Sequence, residues 1–219
     1  MAPADVDSVY ILVDTVHMPA QLTSPAELVA AARAVLERDG LEGLTLRAVA
    51  REAGVSHGAP LRHFPGVATL LSALASEGFE QLYASVDAQL VVAGPEAGAR
   101  TRLSFAGRGY VQFAVRHPGV FSLMFRNELI DRSYPPLGET GSRAFNQLVD
   151  LVIAAQAEGF APHEEPVHAS VVVWALVHGV ATLWIHGDVA SVAPELDLER
   201  IATITDTLLF QPDLMKGMT

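Results

Sequence analysis

Apolar residues recur at helical spacing along most of the chain, and no stretch alternates as a half-buried strand would. Ser24-Pro25-Ala26-Glu27 opens the first clear helix, with a hydroxyl cap, a proline at the first helical position and an acid three residues on. Leu28, Ala32, Val35 and Leu36 form its inner face, and Gly40 is expected to end it. Thr45 caps a second helix whose Leu46, Val49, Ala50 and Ala53 share one side, with Leu44 placed to staple against Val49. Gly54 supplies a turn, and Ser56 is expected to cap a short third helix carrying His57, Arg62 and His63. A long helix over 67–92 follows, striped by Leu71, Leu74, Leu82, Val86 and Leu90 and broken by Gly94-Pro95. Further helices are expected over 97–117, 119–130, 137–158, about 164–187 and 195–210.

The pattern therefore predicts an all-α protein of about nine helices. A three-helix head over 24–66, packed through Val35, Leu46, Val49, Val55 and Phe64, precedes a helical body over 67–219. Such a head is marginal alone, because so few residues bury too little surface. Residues 1–23 fit no helical face. Their apolar run at 9–13 is far too short for a membrane span, so they read as an arm, an edge strand or an over-long start preceding Met18.

Charge sharpens the division. The net charge is −11, yet the stretch Ser24–Pro65 holds five arginines (33, 38, 47, 51, 62) and five acids (27, 37, 39, 42, 52). Within Arg47–His63 three arginines and two histidines meet a single glutamate. An acidic body would repel a polyanion and the small lobe would not, which suits a DNA-reading head. A helix-turn-helix lays its second helix in the major groove while the first crosses the backbone. Arg62 can take a guanine edge bidentately or clamp a phosphate, and a capped helix N-terminus is itself an anion site.

Other chemistry finds little support. There are no cysteines, which excludes disulfides, thiolate metal sites and a cysteine nucleophile. His163, Glu164, Glu165 and His168 do not share a helical face and are interrupted by Pro166, so no metal site is expected. No Ser-His-Asp, metal or phosphate-loop spacing supports an enzyme, and no cofactor is expected. The N-terminus does not read as a signal peptide, and a cytoplasmic location is the simplest expectation. Residues 166–187 carry no formal charge and are long enough to span a membrane. Acidic flanks and His168, His178 and His186 argue instead for a helix buried in a core or between subunits.

TLRAVAREAGVSHGAPLRHF at 45–64, ending in His63-Phe64, resembles the helix-turn-helix of the TetR family of transcriptional regulators. Trp174-Ala-Leu-Val-His178-Gly179 is similar to the Trp…His-Gly signature of one class of carboxy-terminal domains in that family. The resemblance implies three amino-terminal helices for DNA and about six for ligand binding and dimerisation. Carried over by position, Thr45 and Arg47 would lie beside a phosphate. His57, Gly58 and Ala59 would face base edges, with Ser56, Leu61, Arg62 and His63 around them. Two family residues that hold phosphates are replaced: a tyrosine by Leu61 and a lysine by Val67. Pro60 also disfavours helical geometry at Ala59.

Phe105, Tyr110, Phe113, Phe121, Phe125, Trp174 and His178 are the candidates for lining an effector pocket, with ordinary core packing as the alternative for each. Ala175, Gly179 and Thr182 form a small-residue strip at helical spacing; the resemblance implies that it serves, with His186, as a homodimer interface, and a kink or an internal packing notch is the alternative. The expected function is a homodimeric repressor that leaves a pseudopalindromic duplex operator when a small apolar or aromatic effector enters the body, with the 67–92 helix as lever. The alternative is a ligand-binding protein of the same fold with weak or lost DNA binding.

Overall fold

The computed structural model describes residues 23–210, so the expectations for 1–22 lie outside the described residues. Nine α-helices and one 3₁₀ turn account for the regular structure among them. The first helix, α1 (Pro25–Gly43), carries the full capping box: Glu27 N–H donates to Ser24 Oγ, and the Ser24 N–H donates to the Glu27 carboxylate at 2.7 Å. Gly40, with φ of +70°, kinks this helix without ending it. In α2 (Leu46–Glu52), Thr45 Oγ1 accepts the Ala48 N–H at 3.1 Å. Gly54 then sits at φ +67°, while its N–H reaches the Arg51 carbonyl and that of Val55 reaches Ala50. This is a Schellman stop, which needs the left-handed conformation that glycine adopts at no steric cost.

The third helix of the head does not form. After the Gly54 turn, residues 55–64 run through turns and a single 3₁₀ turn, Pro60–Arg62, so Ser56 does not cap a helix. Pro60 lacks the N–H that an α-turn through this segment would need, and Gly58 lacks intrinsic helical preference. Only short bonds remain, such as Arg62 N–H to the Ala59 carbonyl and Phe64 N–H to that of Pro60.

The spine is α3 (Val67–Ala93), whose Leu71, Leu74, Leu82, Val86 and Leu90 are all buried as the stripe predicted. It packs against α1, α4 (Ala99–Arg116), α5 (Pro118–Met124) and α6 (Pro135–Ala157). The outer layer is α7 (Pro166–Ile185), with the short α8 (Asp188–Val192) after it and α9 (Leu198–Phe210) laid on α4. Two further features differ from the sequence pattern. The helix expected over 119–130 stops at Met124, leaving a loop to Tyr134, and α8 was not foreseen. The helix number agrees with expectation because α8 replaces the missing third helix.

One hydrophobic cluster runs unbroken from Leu28, Val35, Val49 and Phe64 of the head into Leu82, Tyr110, Phe113 and Ala181 of the body. Close helix contacts are set by glycines. A Cβ on Gly109 of α4 would lie 2.8 Å from the Ser85 carbonyl oxygen and from Val86 Cα, backbone atoms that cannot step aside. The N-terminus of α4 is capped by a neighbouring helix: Glu158 accepts the Ala99 and Arg100 N–H groups at 2.7 and 3.2 Å. Donors at a helix N-terminus favour the carboxylate, and these bonds hold the Glu158 carboxyl below its ordinary value of 4.5.

Gly109→Ala should lower stability by about 1–3 kcal/mol, the usual cost of overpacking, measurable as a shift in the urea midpoint. The Glu158 contribution should be full above the ordinary carboxyl value and fade as pH falls through the depressed one. Glu158→Gln should flatten that part of the stability–pH curve between neutral and acid pH, and an unaltered curve would remove Glu158 as the cause.

Candidate nucleic-acid interface and effector cavity

The head presents its cations outward. Arg33 is engaged by Glu77, and Arg38 bonds Asp39 at 3.0 Å and Glu52 at 2.7 Å. Arg47, Arg51 and Arg62 make no close ion pair among the described residues, Arg51 acting on the Asp39 carboxylate only at longer range, and all three are exposed. Thr45, Ser56, His57, Gly58 and His63 are exposed beside them. The Thr45 hydroxyl satisfies Ala48, while the Leu46 and Arg47 N–H groups at the start of α2 have no partner in the helix. Free donors, a helix dipole and an adjacent guanidinium together favour an anion there.

Ala59 corrects the expectation that it faces base edges. Its side chain is 7% exposed and lies in the head core next to the fully buried Pro60. The 3₁₀ turn that Pro60 opens points this methyl inward, and Leu61, at 55% exposed, takes the outer position. Val67 is likewise exposed. The two positions where the resemblance led one to expect a hydroxyl and an ammonium thus offer apolar surface.

Behind the head, α3, α4, α6 and α7 enclose a cavity of about 590 Å³. Leu82, Val86, Leu103, Ala106 and Val173 form its buried floor, and Phe79, Phe125, Phe145 and Trp174 its aromatic wall. Of the seven predicted lining residues, Tyr110, Phe125 and Trp174 meet the space and four do not. Phe113 and Phe121 are packed core side chains, 2% and 3% exposed. Phe105 lies under the Arg108 guanidinium, 5.1 Å from ring to charge. His178 sits behind the wall rather than in it.

Its role there is positional. The Trp174 indole N–H donates to the Tyr110 hydroxyl at 3.1 Å, and that hydroxyl lies 2.9 Å from His178 Nδ1. Indole can only donate, so the tyrosine O–H is free to donate onward to Nδ1, which places the imidazole proton on Nε2. Burial lowers the His178 pKa below its ordinary 6.5, which favours this neutral form. Phe121 and Phe125 pack against the same imidazole at 5.2 and 4.6 Å between centroids. The Trp…His-Gly signature in this chain therefore orients the aromatic wall.

Sequence pattern also missed α5 as a connector. A Cβ on Gly119 would lie 3.2 Å from Leu36 Cγ in the head. One on Gly78 of α3 would meet Val120 and Met124 at under 3 Å. Met124 and Phe125, at the other end of the same short helix, line the cavity. Seven residues thus touch head, spine and cavity. Paired glycines at 78 and 119 were the available signal, but nothing in the sequence places them opposite each other.

The expected interface strip is on the surface. Ala175 and His186 are exposed, Gly179 and Thr182 half-buried, and a Cβ on Gly179 would meet nothing within 4 Å. Val167, Val171, Val172 and Leu183 of α7 are also exposed, between 45% and 65%. By length and composition α7 could cross a membrane, but here it packs on α4 and α6 through Ala169, Ser170, Val173 and Ala181. No group of three or more potential metal-binding His, Asp or Glu side chains occurs among the described residues.

Residues 28–74 match the model for bacterial regulatory proteins of the tetR family, and residues 103–207 match a tetracyclin repressor-like C-terminal domain. No curated protein matches by sequence. A solved protein of unknown function from Rhodococcus sp. RHA1 is 32% identical, covering 91% of this chain and 98% of its own, with a TM-score of 0.74. The fatty acid degradation regulator FadR of Bacillus halodurans shares the fold at 17% identity, covering 84% and 93%, with a TM-score of 0.66. FadR of Bacillus subtilis, solved with stearoyl-CoA, does so at 16%, covering 86% and 98%, with a TM-score of 0.64. With an exposed cationic head on an all-α body and both family models matched, the chain belongs to the TetR family of DNA-binding transcriptional regulators, which are not enzymes.

Proposed function

We propose that the protein is a homodimeric repressor that binds a pseudopalindromic operator and releases it when a small, mainly apolar effector occupies the 590 Å³ cavity. The observation that carries this reading is the exposed trio Arg47, Arg51 and Arg62, none in a close ion pair among the described residues, on a lobe sharing one core with that cavity. Thr45, Arg47 and the α2 N-terminus would hold phosphate, while Arg62 and His57 would reach base edges beside Ser56, Gly58, Leu61 and His63. Ala59 would act from within the core. Phosphate contacts position the head and base contacts specify the sequence. Pairing through the exposed apolar side of α7, with Ala175, Gly179, Thr182 and His186 at the contact, would set two heads about 34 Å apart, one helical turn of DNA. The coupling route we assign runs from Met124 and Phe125 through α5 to Leu36, in addition to α3. A shift of about 1–3 kcal/mol between sites is the usual size of such coupling, and near-complete release needs about 5.

A second reading, a ligand-binding member with weak DNA affinity, is favoured by two features. Residues 55–64 lack a regular helix, and Leu61 and Val67 expose apolar groups.

Fluorescence anisotropy against duplex from the protein's own upstream region separates the two. Specific binding is expected, with a log K against log salt slope shallower than about −6 per dimer, because two phosphate contacts are absent. Arg62→Ala should cost about 1–3 kcal/mol per subunit and relax sequence preference, whereas Arg47→Ala, which removes one phosphate contact from each subunit, should weaken all sequences alike and reduce the slope by about 2 per dimer. Sequence-independent binding by the unaltered chain would favour the second reading.

A further inference from the structure

The main cavity is biased in charge. The chain holds 25 acidic residues, yet no Asp or Glu lines this space, and its single charged lining residue is Arg132. Arg132 stands at the exposed mouth with Asn127, Ser142 and Asn146, while the floor is wholly apolar. Its neighbour Asp131 forms no ion pair with it. The Asp131 carboxylate accepts the Ser133 N–H at 2.9 Å and the Ser133 hydroxyl at 2.6 Å. The Asp131 backbone is in turn tied to the buried Ser72 of α3, whose hydroxyl accepts the Asp131 N–H at 2.7 Å. The loop bearing Arg132 is therefore anchored, and its guanidinium has no carboxylate partner among the described residues.

A second chamber of about 160 Å³ lies between α4, α7 and α9. Leu103, Gly107, Val173 and Val177 line both spaces, so the two are separated by one layer of side chains. That layer is thinnest at Gly107, which contributes no side chain, and Val177 Cγ1 stands 3.3 Å from where its Cβ would be. The Val177 side chain therefore stands against the Gly107 backbone in the layer between the two spaces. The far chamber has apolar walls in Val111, Val180, Ile201 and Ala202. Its acids Glu199 and Asp206 are occupied by Arg108 and Ser104, at 3.1 and 2.6 Å. Two acids against the one cation Arg108 leave this lining net negative, where the main cavity has Arg132 alone, and that difference gives the pair of chambers a direction.

We infer that the two chambers form one bipartite site for an unbranched alkyl carboxylate, with its negative head at Arg132 and its tail passing Gly107 and Val177 toward α9. This deepens the effector-site reading of the cavity and rests on it. A head near Arg132 gains a charge-assisted hydrogen bond that an alcohol gains only weakly and an ammonium cannot make. Each added methylene beyond the first chamber gains burial only if the partition yields.

Isothermal titration of the full-length protein with C8, C12 and C16 carboxylates, dodecanol and dodecylamine, all below micelle formation, tests this. Dodecanoate should bind at least about tenfold tighter than dodecanol or dodecylamine, the value of one charged hydrogen bond. Arg132→Gln should weaken the carboxylate by about that factor and leave the alcohol unchanged. Affinity should rise from C8 to C16, and Val180→Phe, which fills only the far chamber, should abolish the gain for C16 while C8 is unaffected. Gly107→Ala, which thickens the partition, is the independent check should Val180→Phe fail to fold. Equal binding of alcohol or amine, an Arg132→Gln effect shared by both head groups, no gain with chain length, or no binding of any probe would overturn the inference. Operator binding is read separately on the same samples. Carboxylate binding without operator response would leave the site intact and remove the repressor reading instead.

Discussion

Head and body are held as one object by close helix contact at glycines, and every other property depends on that constraint. A head of this size buries too little apolar surface to be stable alone. It borrows the rest from α3 and α5. Leu36 and Val35 of α1 join a cluster that continues without interruption to Phe113 and Ala181. Gly78 and Gly119 let α5 lie against both α3 and α1, and Gly109 lets α4 reach the backbone of α3. Larger side chains at these positions would part the layers. Packed interiors deform little, and the coupling route proposed from Met124 and Phe125 to the head rests on that stiffness.

Charge follows the same division. The two arginines of α1 are taken up, Arg33 by Glu77 of α3 and Arg38 by Asp39 and Glu52 at the head surface. Three others are left to solvent on the outer side of α2 and the turns after it. The surplus acid lies in the remainder of the chain, where it keeps a polyanion at the head. Within the body, the cavity lining is free of that acid, and the aromatic wall is oriented by the Trp174–Tyr110–His178 chain of hydrogen bonds.

Much of the fold was legible in the sequence because its signals are local. The Ser24 box, the Thr45 cap, the Gly54 stop and the α3 stripe each act within a few residues, and each appears where its chemistry requires. The third head helix was misread because cap and spacing suggested it, while Pro60 and Gly58 withdrew the donor and the preference that it needed. Ala59 is buried beside Pro60 and keeps the helical backbone angles that a following proline was expected to disfavour. The small α8 escaped notice because a five-residue helix has no period to detect. Site residues in the cavity were only partly legible. Periodicity tells which face of a helix is buried, but not whether that face meets a neighbour or a void. Phe113 and Phe121 meet neighbours, whereas Phe79 and Phe145 meet the void. His178 carried a motif, yet it works one layer behind the surface that the motif suggested.

Urea unfolding followed at two places tests the shared core most directly. Both tryptophans, Trp174 and Trp184, lie in the body and report by fluorescence, while the His57 and His63 ring protons report on the head by nuclear magnetic resonance. A continuous core requires the two transitions to coincide in midpoint and steepness. A head that melts at distinctly lower urea, with tryptophan fluorescence still native, would show that α3 and α5 do not bind the two parts into one unit.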